Sequence, residues 1–378
     1  MVIDKVYAER FRNDGKSILP LNDLQKQEIR RFGERVATGY YVERQVELCP
    51  LCRHDVSYLV AEKDRYGLPV RTVICRKCGL VRTLNQLDAL STERFYSDQY
   101  RSLYEGAAPG SEPILRRFVA TGSQKKSARR LVDSLSLDPA RHAVVEVGTG
   151  GGWNLVPFLE MGFQCVGSDF DASYLEVGRA HGLELVQGGI TELAAVVEGR
   201  KVGLALLSHV LEHVADPGQF LGQASRLLAG GGFLRVQQPG LRVLKWGYAQ
   251  GDLLHTLQNA HSTLFDLWTL RAIAEANNLE LLVGDETLDC ILRKVDRVVR
   301  PDLPERRGDE VLRYLRSLER WRAYWALWQK VYASSRHPDR VRWRVLQVHY
   351  AMRYPRQYLA RRILDRLSRQ VSRRSGGA

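Results

Sequence analysis

A short string of imidazole and carboxyl side chains, His-Val-Leu-Glu-His at residues 209–213, directly follows an apolar run. An imidazole titrates near pH 6.5, so it can take a proton from a hydroxyl group at neutral pH, and a neighbouring carboxylate can fix its tautomer. If the segment is helical, positions i, i+3 and i+4 share one face. We therefore predict His213 as a general base, His209 as the second choice and Glu212 as the group that orients the ring.

Two Cys-x-x-Cys pairs form a second group with chemical potential. Cys49 and Cys52 are separated from Cys75 and Cys78 by 22 residues. Each pair can sit on a tight turn that directs two thiolates at one point, and four thiolates complete a tetrahedral zinc site with no open coordination position. We predict a structural zinc ion, against the alternatives of a redox dithiol or two coincidental pairs. The adjacent His54 could replace a ligand, but a lone surface histidine is the simpler interpretation.

The third group is a glycine-rich turn at residues 144–153, which read Val-Val-Glu-Val-Gly-Thr-Gly-Gly-Gly-Trp. Gly148, Gly150 and Gly152 permit positive φ and the close approach of a ligand to bare backbone. A second apolar run ends in Asp169, whose carboxylate can accept both hydroxyls of a ribose. The pattern predicts a buried parallel strand, a tight turn and a helix, which is half of a nucleotide-binding α/β unit. A generic glycine-rich turn in another Rossmann-like protein is the alternative.

The order acid-x-Gly-x-Gly-x-Gly from Glu146 to Gly152 resembles the first motif of the class I S-adenosylmethionine-dependent methyltransferases. An apolar run to Ser208, the 209–213 string and a glycine turn before a further strand then follow in that family's order. The resemblance implies an α/β fold with a Rossmann-like seven-stranded methyltransferase sheet. It also implies S-adenosylmethionine as cofactor, with Glu146 and the glycine turn facing the methionine part, Asp169 holding the ribose, and Ser208 in the cofactor site.

Two positions depart from a simple version of this resemblance. Many members of the family carry an acid near the adenine where this chain has Gly188-Gly189-Ile190, so the adenine contact is not identified. The 209–213 string also occurs in a class of zinc peptidases, but no third ligand segment is evident here. In some quinone-type O-methyltransferases acids and a histidine at this place hold a divalent cation, and that alternative stays open. A further alternative is that Glu212 and His213 only orient their loop.

The four-cysteine element bears on the acceptor of the methyl group. It resembles the N-terminal zinc ribbon of a group of sugar-modifying methyltransferases, and also the ribbon of some ribosomal RNA methyltransferases. In the sugar-modifying group a similar aromatic segment lies near the acceptor, which would place Tyr100 and Tyr104 in the site; packing of the ribbon onto the core is the alternative. His261 matches a His-x-x-x-Phe turn that the family often has near the acceptor pocket.

From these features we predict methyl transfer to a hydroxyl or carbon of a nucleotide sugar or a surface glycan. An RNA methyltransferase that uses the ribbon and a basic tail to bind RNA is one alternative. A small-molecule, quinone-type O-methyltransferase is the other.

The net charge of +13 is concentrated near the C-terminus, because residues 301–378 hold 19 Lys and Arg against 7 Asp and Glu. This asymmetry argues for an appended anionic contact rather than for a positively charged active-site face. Aromatic residues recur there at helical spacing: Trp321, Tyr324, Trp325, Trp328 and Tyr332. A basic helix with an aromatic face can lie on an anionic membrane, stack on RNA or pack within the protein.

We divide the 378 residues into a helical lead-in at 1–45, a zinc ribbon and aromatic linker at 46–106, a cofactor-binding methyltransferase domain at 107–298 and a basic helical region at 299–378. No run of 18 apolar residues occurs, and the N-terminus lacks a signal-peptide pattern. We therefore expect a cytoplasmic protein, which the basic region could hold at the inner membrane face.

Overall fold

The computed structural model describes residues 1–6, 8–106, 122–244, 251–297, 301 and 303–323. Its strands are β1 Val2–Asp4, β2 Glu43–Gln45, β3 Ser57–Ala61, β4 Thr72–Cys75, β5 Val81–Thr83, β6 Asn85–Leu87, β7 Ala143–Val147, β8 Gln164–Asp169, β9 Glu184–Gln187, β10 Val202–Ser208, β11 Phe233–Gln237, β12 Thr263–Leu264, β13 Leu279–Val283 and β14 Asp289–Lys294. Its α-helices are α1 Asp23–Ala37, α2 Ala89–Asp98, α3 Tyr100–Glu105, α4 Gly122–Leu135, α5 Val156–Leu159, α6 Ala172–Ala180, α7 Ile190–Val196, α8 Pro217–Leu227, α9 Leu253–Thr256, α10 Leu267–Glu275 and α11 Arg307–Arg320. Single 3-10 turns lie at Glu9–Phe11, Leu211–His213 and Leu241–Val243.

The larger sheet has seven strands in the order β13-β14-β11-β10-β7-β8-β9. The strands from β11 to β9 run parallel to their neighbours, whereas β14 and β13 close the sheet in antiparallel pairing. All five residues of β7 are buried, as expected for a parallel strand with both faces covered. The predicted seven-stranded Rossmann-like sheet is confirmed.

A five-stranded sheet lies in the N-terminal part of the chain, with the order β1-β3-β4-β5-β12. The cysteine pairs flank its central strands, because Cys49 and Cys52 precede β3, whereas Cys75 ends β4 and Cys78 lies in the turn to β5. The edge strand β12 comes from the second half of the chain and pairs antiparallel to β5. The five-stranded sheet is therefore completed by a segment that lies, in the sequence, between strands β11 and β13 of the larger sheet.

Helix α11 also packs on the N-terminal sheet, although it belongs to the part of the chain that we assigned to the basic region. Its apolar face, Val311, Leu312, Leu315 and Leu318, is buried. Asp309 accepts a hydrogen bond from the Tyr58 hydroxyl at 2.5 Å. The predicted aromatic stripe from Tyr324 onward lies outside the described residues. Within the described residues, no helix has both the length and the apolar character needed to cross a membrane.

The aromatic linker connects the two sheets through helices α2 and α3. The side chain of Ser97 donates a hydrogen bond to the Phe170 carbonyl at 3.3 Å, and Arg101 lies 3.5 Å from Asp169. Both contacts are made at the carboxyl end of β8. The linker therefore covers the edge of the larger sheet at which its parallel strands end.

Candidate functional site

A cavity of about 820 Å³ opens at the carboxyl ends of β7, β8 and β10. The chain passes from β7 to β8 on one side and reaches β10 on the other, so the strand order reverses at this point. Open parallel sheets bind ligands at such a reversal, because the loops on either side of it diverge. The glycine-rich turn lines one part of the cavity, which we call its floor, and the linker tyrosines Tyr96, Tyr100 and Tyr104 line another, which we call the tyrosine wall.

The glycine-rich turn brings bare backbone to the cavity. Gly148 and Gly150 line it with φ of +66° and +57°, values that disfavour residues with a Cβ. A Cβ on Gly150 would lie 2.7 Å from the ring of Trp153. Gly152, which we also predicted in the cofactor site, is not among the residues that line the cavity; a Cβ there would lie 2.5 Å from the Leu183 side chain. Its φ of +85° and its close packing against Leu183, just before β9, therefore explain the third glycine.

Glu146 lies beneath the turn and is fully buried. Its carboxylate accepts hydrogen bonds from the Thr149 hydroxyl and the Asn154 amide, both at 2.7 Å. Burial raises the pKa of Glu146 to about 7. The residue borders a smaller cavity of about 190 Å³, next to Arg235, and Ser208 lines both this cavity and the larger one. A buried carboxylate at this place can neutralise an ammonium group, as the predicted contact with the methionine part requires.

Asp169 ends β8 and faces the larger cavity. One carboxylate oxygen accepts the Gly150 N–H at 2.7 Å, and the other accepts the Asp171 N–H at 3.0 Å. The guanidinium of Arg101 lies 3.5 Å from the second oxygen. A carboxylate oxygen has two lone pairs, so the group retains acceptor capacity for a ribose hydroxyl. The role of Asp169 as a ribose ligand stays a prediction.

Phe170 and Arg101 are two residues of the site that the sequence reasoning missed. Phe170 lines the cavity beside Gly189 and stacks on Tyr96, with ring centroids 6.3 Å apart. The signal that could have identified Phe170 is its position as an aromatic residue directly after Asp169, where its ring offers a flat surface to an adenine base. Arg101 gave no such signal, because its partners Asp169 and Asp171 are about 70 residues away in the sequence.

The imidazole of His213 is held in one orientation by the protein. Its Nδ1 lies 3.0 Å from the Ala260 carbonyl oxygen, which can only accept, so Nδ1 carries the proton and Nε2 is left with a lone pair. Tyr96 and Tyr100 face the ring edge-on, with centroids at 5.9 and 5.8 Å. Burial lowers the pKa of His213 below its ordinary value of 6.5. The ring is therefore neutral at physiological pH and can accept a proton at Nε2.

The helical face that we expected for the 209–213 string is absent. Residues 211–213 form a single 3-10 turn, and His209 has a φ of +56° with 65% of its side chain exposed. Glu212 lies 3.3 Å from Nδ1 of His209 and raises its pKa, but it lies 4.0 Å from Nε2 of His213. The Ala260 carbonyl, rather than the predicted Glu212, therefore orients the ring of His213.

His261 is buried next to His213, with ring centroids 4.8 Å apart. Glu212, His213 and His261 each offer one ligand atom, and these atoms all lie within 4.8 Å of one another. Carboxylate and imidazole groups are common ligands of divalent transition metals. The same residues could therefore bind a divalent cation together, or His213 among them could accept a proton.

The four cysteines lie together, as their spacing predicted. Their sulfur atoms are all within 4.8 Å of one another, and the Cys49–Cys78 and Cys52–Cys75 pairs are 3.5 and 3.4 Å apart. Four sulfurs at about 2.3 Å from a tetrahedral zinc ion would be separated by about 3.8 Å, so this cluster can hold zinc in a closed site. The side chain of His54 lies 3.9 Å from Asp55 and is not part of the cluster.

Comparison with known proteins places the glycine turn, Asp169 and the 209–213 string inside a recognised domain. Residues 120–283 match the family model described as a methyltransferase domain. The ubiquinone biosynthesis O-methyltransferase of Chelativorans sp. (strain BNC1) is 33% identical over 97 residues, which are 25% of this chain and 38% of that protein. The protein of the same name from Brucella anthropi is 27% identical over 185 residues, 48% of this chain and 67% of the relative.

The CcbJ methyltransferase from Streptomyces caelestis has a solved structure that aligns with 54% of this chain and 99% of its own, with 16% identity and a TM-score of 0.39. The chain spans well under half the length of the first of these relatives. The four-cysteine cluster and the aromatic linker lie outside the part that the family model matches.

Proposed function

We propose that residues 120–283, which match a family model described as a methyltransferase domain, use S-adenosylmethionine to methylate a hydroxyl oxygen of a small-molecule acceptor. The observation that carries the proposal is the imidazole of His213, whose side chain is 11% exposed, with Nδ1 bound to the Ala260 carbonyl and Nε2 able to accept a proton. A hydroxyl group must lose its proton as it becomes an ether. A positioned base contributes about 10²- to 10⁴-fold to the rate of such a step.

The cofactor supplies an electrophilic methyl group on a sulfonium, and the protein must orient it towards the acceptor. In this proposal Asp169 accepts hydrogen bonds from the ribose, and the ring of Phe170 contacts the adenine. Glu146 beneath the turn balances the ammonium of the methionine part. The backbone of Gly148 and Gly150 permits close approach to the cavity floor, as their positive φ values allow.

In this proposal the acceptor lies against the tyrosine wall. His213 contacts two of these rings edge-on, so an acceptor that packs on Tyr96 or Tyr100 brings its hydroxyl near Nε2. The Tyr96 hydroxyl is buried and makes no hydrogen bond within the described part of the chain, so it can bind a polar group of the acceptor. In methyl transfer the attacking oxygen, the methyl carbon and the sulfur lie in one line. Packing of the acceptor on the tyrosine wall would hold its oxygen in that line.

Two classes of ring-bearing acceptor fit this wall. From the sequence we predict a hydroxyl or carbon of a nucleotide sugar or surface glycan. The hydroxyl of such a sugar is supported by the resemblance of the four-cysteine element to the zinc ribbon of sugar-modifying methyltransferases. A phenolic hydroxyl is supported by relatives that are named ubiquinone biosynthesis O-methyltransferases. Aromatic walls can pack against either kind of ring.

Cation-assisted O-methylation is a second candidate, and the arrangement of Glu212, His213 and His261 favours it. A divalent cation at this cluster would lower the pKa of the acceptor hydroxyl, and Nε2 of His213 would be a ligand instead of a base. The two candidates predict different responses to chelation.

A turnover assay that follows S-adenosylhomocysteine release tests the proposal with nucleotide sugars, catechol-type phenols and ribosomal RNA as acceptors. His213→Asn should lower turnover about 10²- to 10⁴-fold with cofactor affinity retained, whereas the control His181→Asn, at a histidine that does not line the cavity, should not. Turnover that is abolished by chelation and restored by a divalent cation, tested with manganese, iron and magnesium, would favour the second candidate. Methylation of RNA alone, or no binding of S-adenosylmethionine, would contradict the proposal.

A further inference from the structure

The turn that follows β3 in the N-terminal sheet contacts the segment whose backbone orients the ring of His213. Asp64 in this turn is fully buried. One of its carboxylate oxygens accepts the N–H groups of Tyr66 and Leu68, both at 2.9 Å. The other accepts the N–H of Asn259 at 3.0 Å. The carboxylate therefore joins its own turn to residues 257–261, which we call the 257–261 loop.

Arg65 provides a second connection to the same loop. Its backbone N–H donates to the Leu257 carbonyl at 3.0 Å, and its guanidinium donates to Oε1 of Gln258 at 2.7 Å. The amide nitrogen of Gln258 then faces Nε2 of His261. Because an amide nitrogen can only donate, this contact makes Nε2 of His261 an acceptor and leaves the proton of a neutral ring on Nδ1.

Tyr104 holds the middle of the loop from the side of the aromatic linker. Its hydroxyl accepts the Ala260 N–H at 3.2 Å and contacts the side-chain oxygen of Asn259. The carbonyl of the same residue, Ala260, receives Nδ1–H of His213. The residue whose carbonyl orients His213 is thus held by Tyr104 through its own N–H, and the residue before it, Asn259, is held by Asp64.

These contacts determine the tautomers of both imidazoles in the cluster, those of His213 and His261. His213 has its proton on Nδ1 because a carbonyl oxygen faces that atom, and His261 has an accepting Nε2 because an amide donor faces it. Neither partner lies on the turn that carries His213, and both belong to the 257–261 loop. A displacement of this loop would change which nitrogen of His213 is free.

We propose that Asp64 and Arg65 are positioning residues, which set the tautomers of His213 and His261 through the 257–261 loop. The inference rests on the proposed function for its catalytic meaning, because it assigns the N-terminal sheet the task of aiming the base. The ribbon part of the chain would then take part in the active site without contacting the acceptor.

The test is a comparison of Asp64→Asn with Asp14→Asn in full-length protein labelled with ¹⁵N-histidine. Asparagine keeps the shape of the side chain but replaces one accepting oxygen with a donor, so Asp64→Asn cannot satisfy all three N–H groups. Asp14 is a matched control, because it pairs with Lys63 of the same turn and makes no described contact with the loop. The imidazole nitrogen shifts report which nitrogen of each ring is protonated, and His213→Asn assigns the signal of His213.

We expect Nδ1 of His213 to be protonated in the native protein and in Asp14→Asn, and its signal to shift or broaden by exchange in Asp64→Asn. Arg65→Met should alter the signal of His261, so it tests the second connection should Asp64→Asn fail to fold. Affinity for S-adenosylhomocysteine should change less than about twofold in a folded variant, whereas turnover on an acceptor should fall about 10- to 100-fold as the base loses its alignment.

An unchanged His213 signal in folded Asp64→Asn, together with an unchanged His261 signal in Arg65→Met, would overturn the inference. So would a native protein in which Nε2 of His213 carries the proton. Absence of cofactor binding in the native protein would count against the proposed function alone, because the nitrogen signals are measured without turnover.

Discussion

Replacement of Glu146 with Gln should stabilise the protein at alkaline pH while it weakens cofactor binding. The carboxyl group is fully buried, accepts two hydrogen bonds at 2.7 Å and has its pKa raised to about 7 by burial. Glutamine has nearly the same shape. Its amide oxygen can accept from Asn154, and its amide nitrogen can donate to the Thr149 hydroxyl, so neither partner loses its hydrogen bond.

The magnitude follows from the difference in pKa between the folded and the unfolded chain. A carboxyl group whose pKa is raised by folding holds its proton more tightly in the folded state. Its contribution to stability is fully present below about pH 4.5 and is lost as the pH rises through about 7. At about 1.4 kcal/mol per pH unit, this interval amounts to roughly 3 kcal/mol. Because glutamine does not titrate, the variant should gain about 2 to 3 kcal/mol over the native protein between pH 5 and pH 9.

Urea unfolding of both proteins at pH 5, 6, 7, 8 and 9 measures this difference, and subtraction removes every other titrating group, including the buried Asp64. Glu160→Gln is a suitable control, because Glu160 is an exposed carboxylate that pairs with Lys125. Calorimetry at pH 8 should show weaker binding of S-adenosylmethionine to Glu146→Gln, since the neutral amide cannot balance an ammonium group. A stability difference that stays constant with pH would refute the argument from burial, and unchanged affinity would remove Glu146 from the methionine site.

Four further outcomes are expected. Cys75→Ser should lower zinc content and melting temperature together, because metal binding and folding are linked, and a metal-free preparation of native stability would exclude the structural role. Asp169→Ala should weaken S-adenosylhomocysteine binding about 10- to 100-fold in calorimetry, as expected for loss of a charged acceptor, and native affinity would end the ribose assignment. With saturating S-adenosylmethionine, so that protonation of Glu146 does not limit cofactor binding, turnover should stay constant from pH 8 to about 6.5 and fall only at lower pH, where His213 with its lowered pKa is protonated; an acidic limb centred above 7 would contradict this role of His213. Truncation after Arg322, which keeps α11, should reduce salt-dependent binding to anionic vesicles or RNA and preserve cofactor affinity, whereas loss of that affinity would place the tail within the folded core.

Local patterns in the sequence were sufficient for the sheet, the glycine turn and the cysteine cluster. A buried parallel strand is a short apolar run, and a turn with positive φ requires glycine, so both leave a signature within a few residues. Gly148 and Gly150 were therefore predicted together with the strand that precedes them. The spacing within each Cys-x-x-Cys pair likewise reflects the geometry of a single turn, which is why Cys49 and Cys75 were predicted to share one site.

Contacts between distant segments decided the chemistry of the imidazoles, and no local pattern records them. The spacing of the 209–213 string predicted that Glu212 would orient His213, whereas the ring is oriented by the carbonyl of Ala260, 47 residues later. Similarly, β12 pairs with β5 and α11 packs on β4 only because the chain returns to the N-terminal sheet. A backbone carbonyl is present in every residue, so its role in a tautomer depends on where folding places it rather than on residue type. The sequence could therefore identify the group that accepts a proton, but only the tertiary structure determines which of its two nitrogens does so.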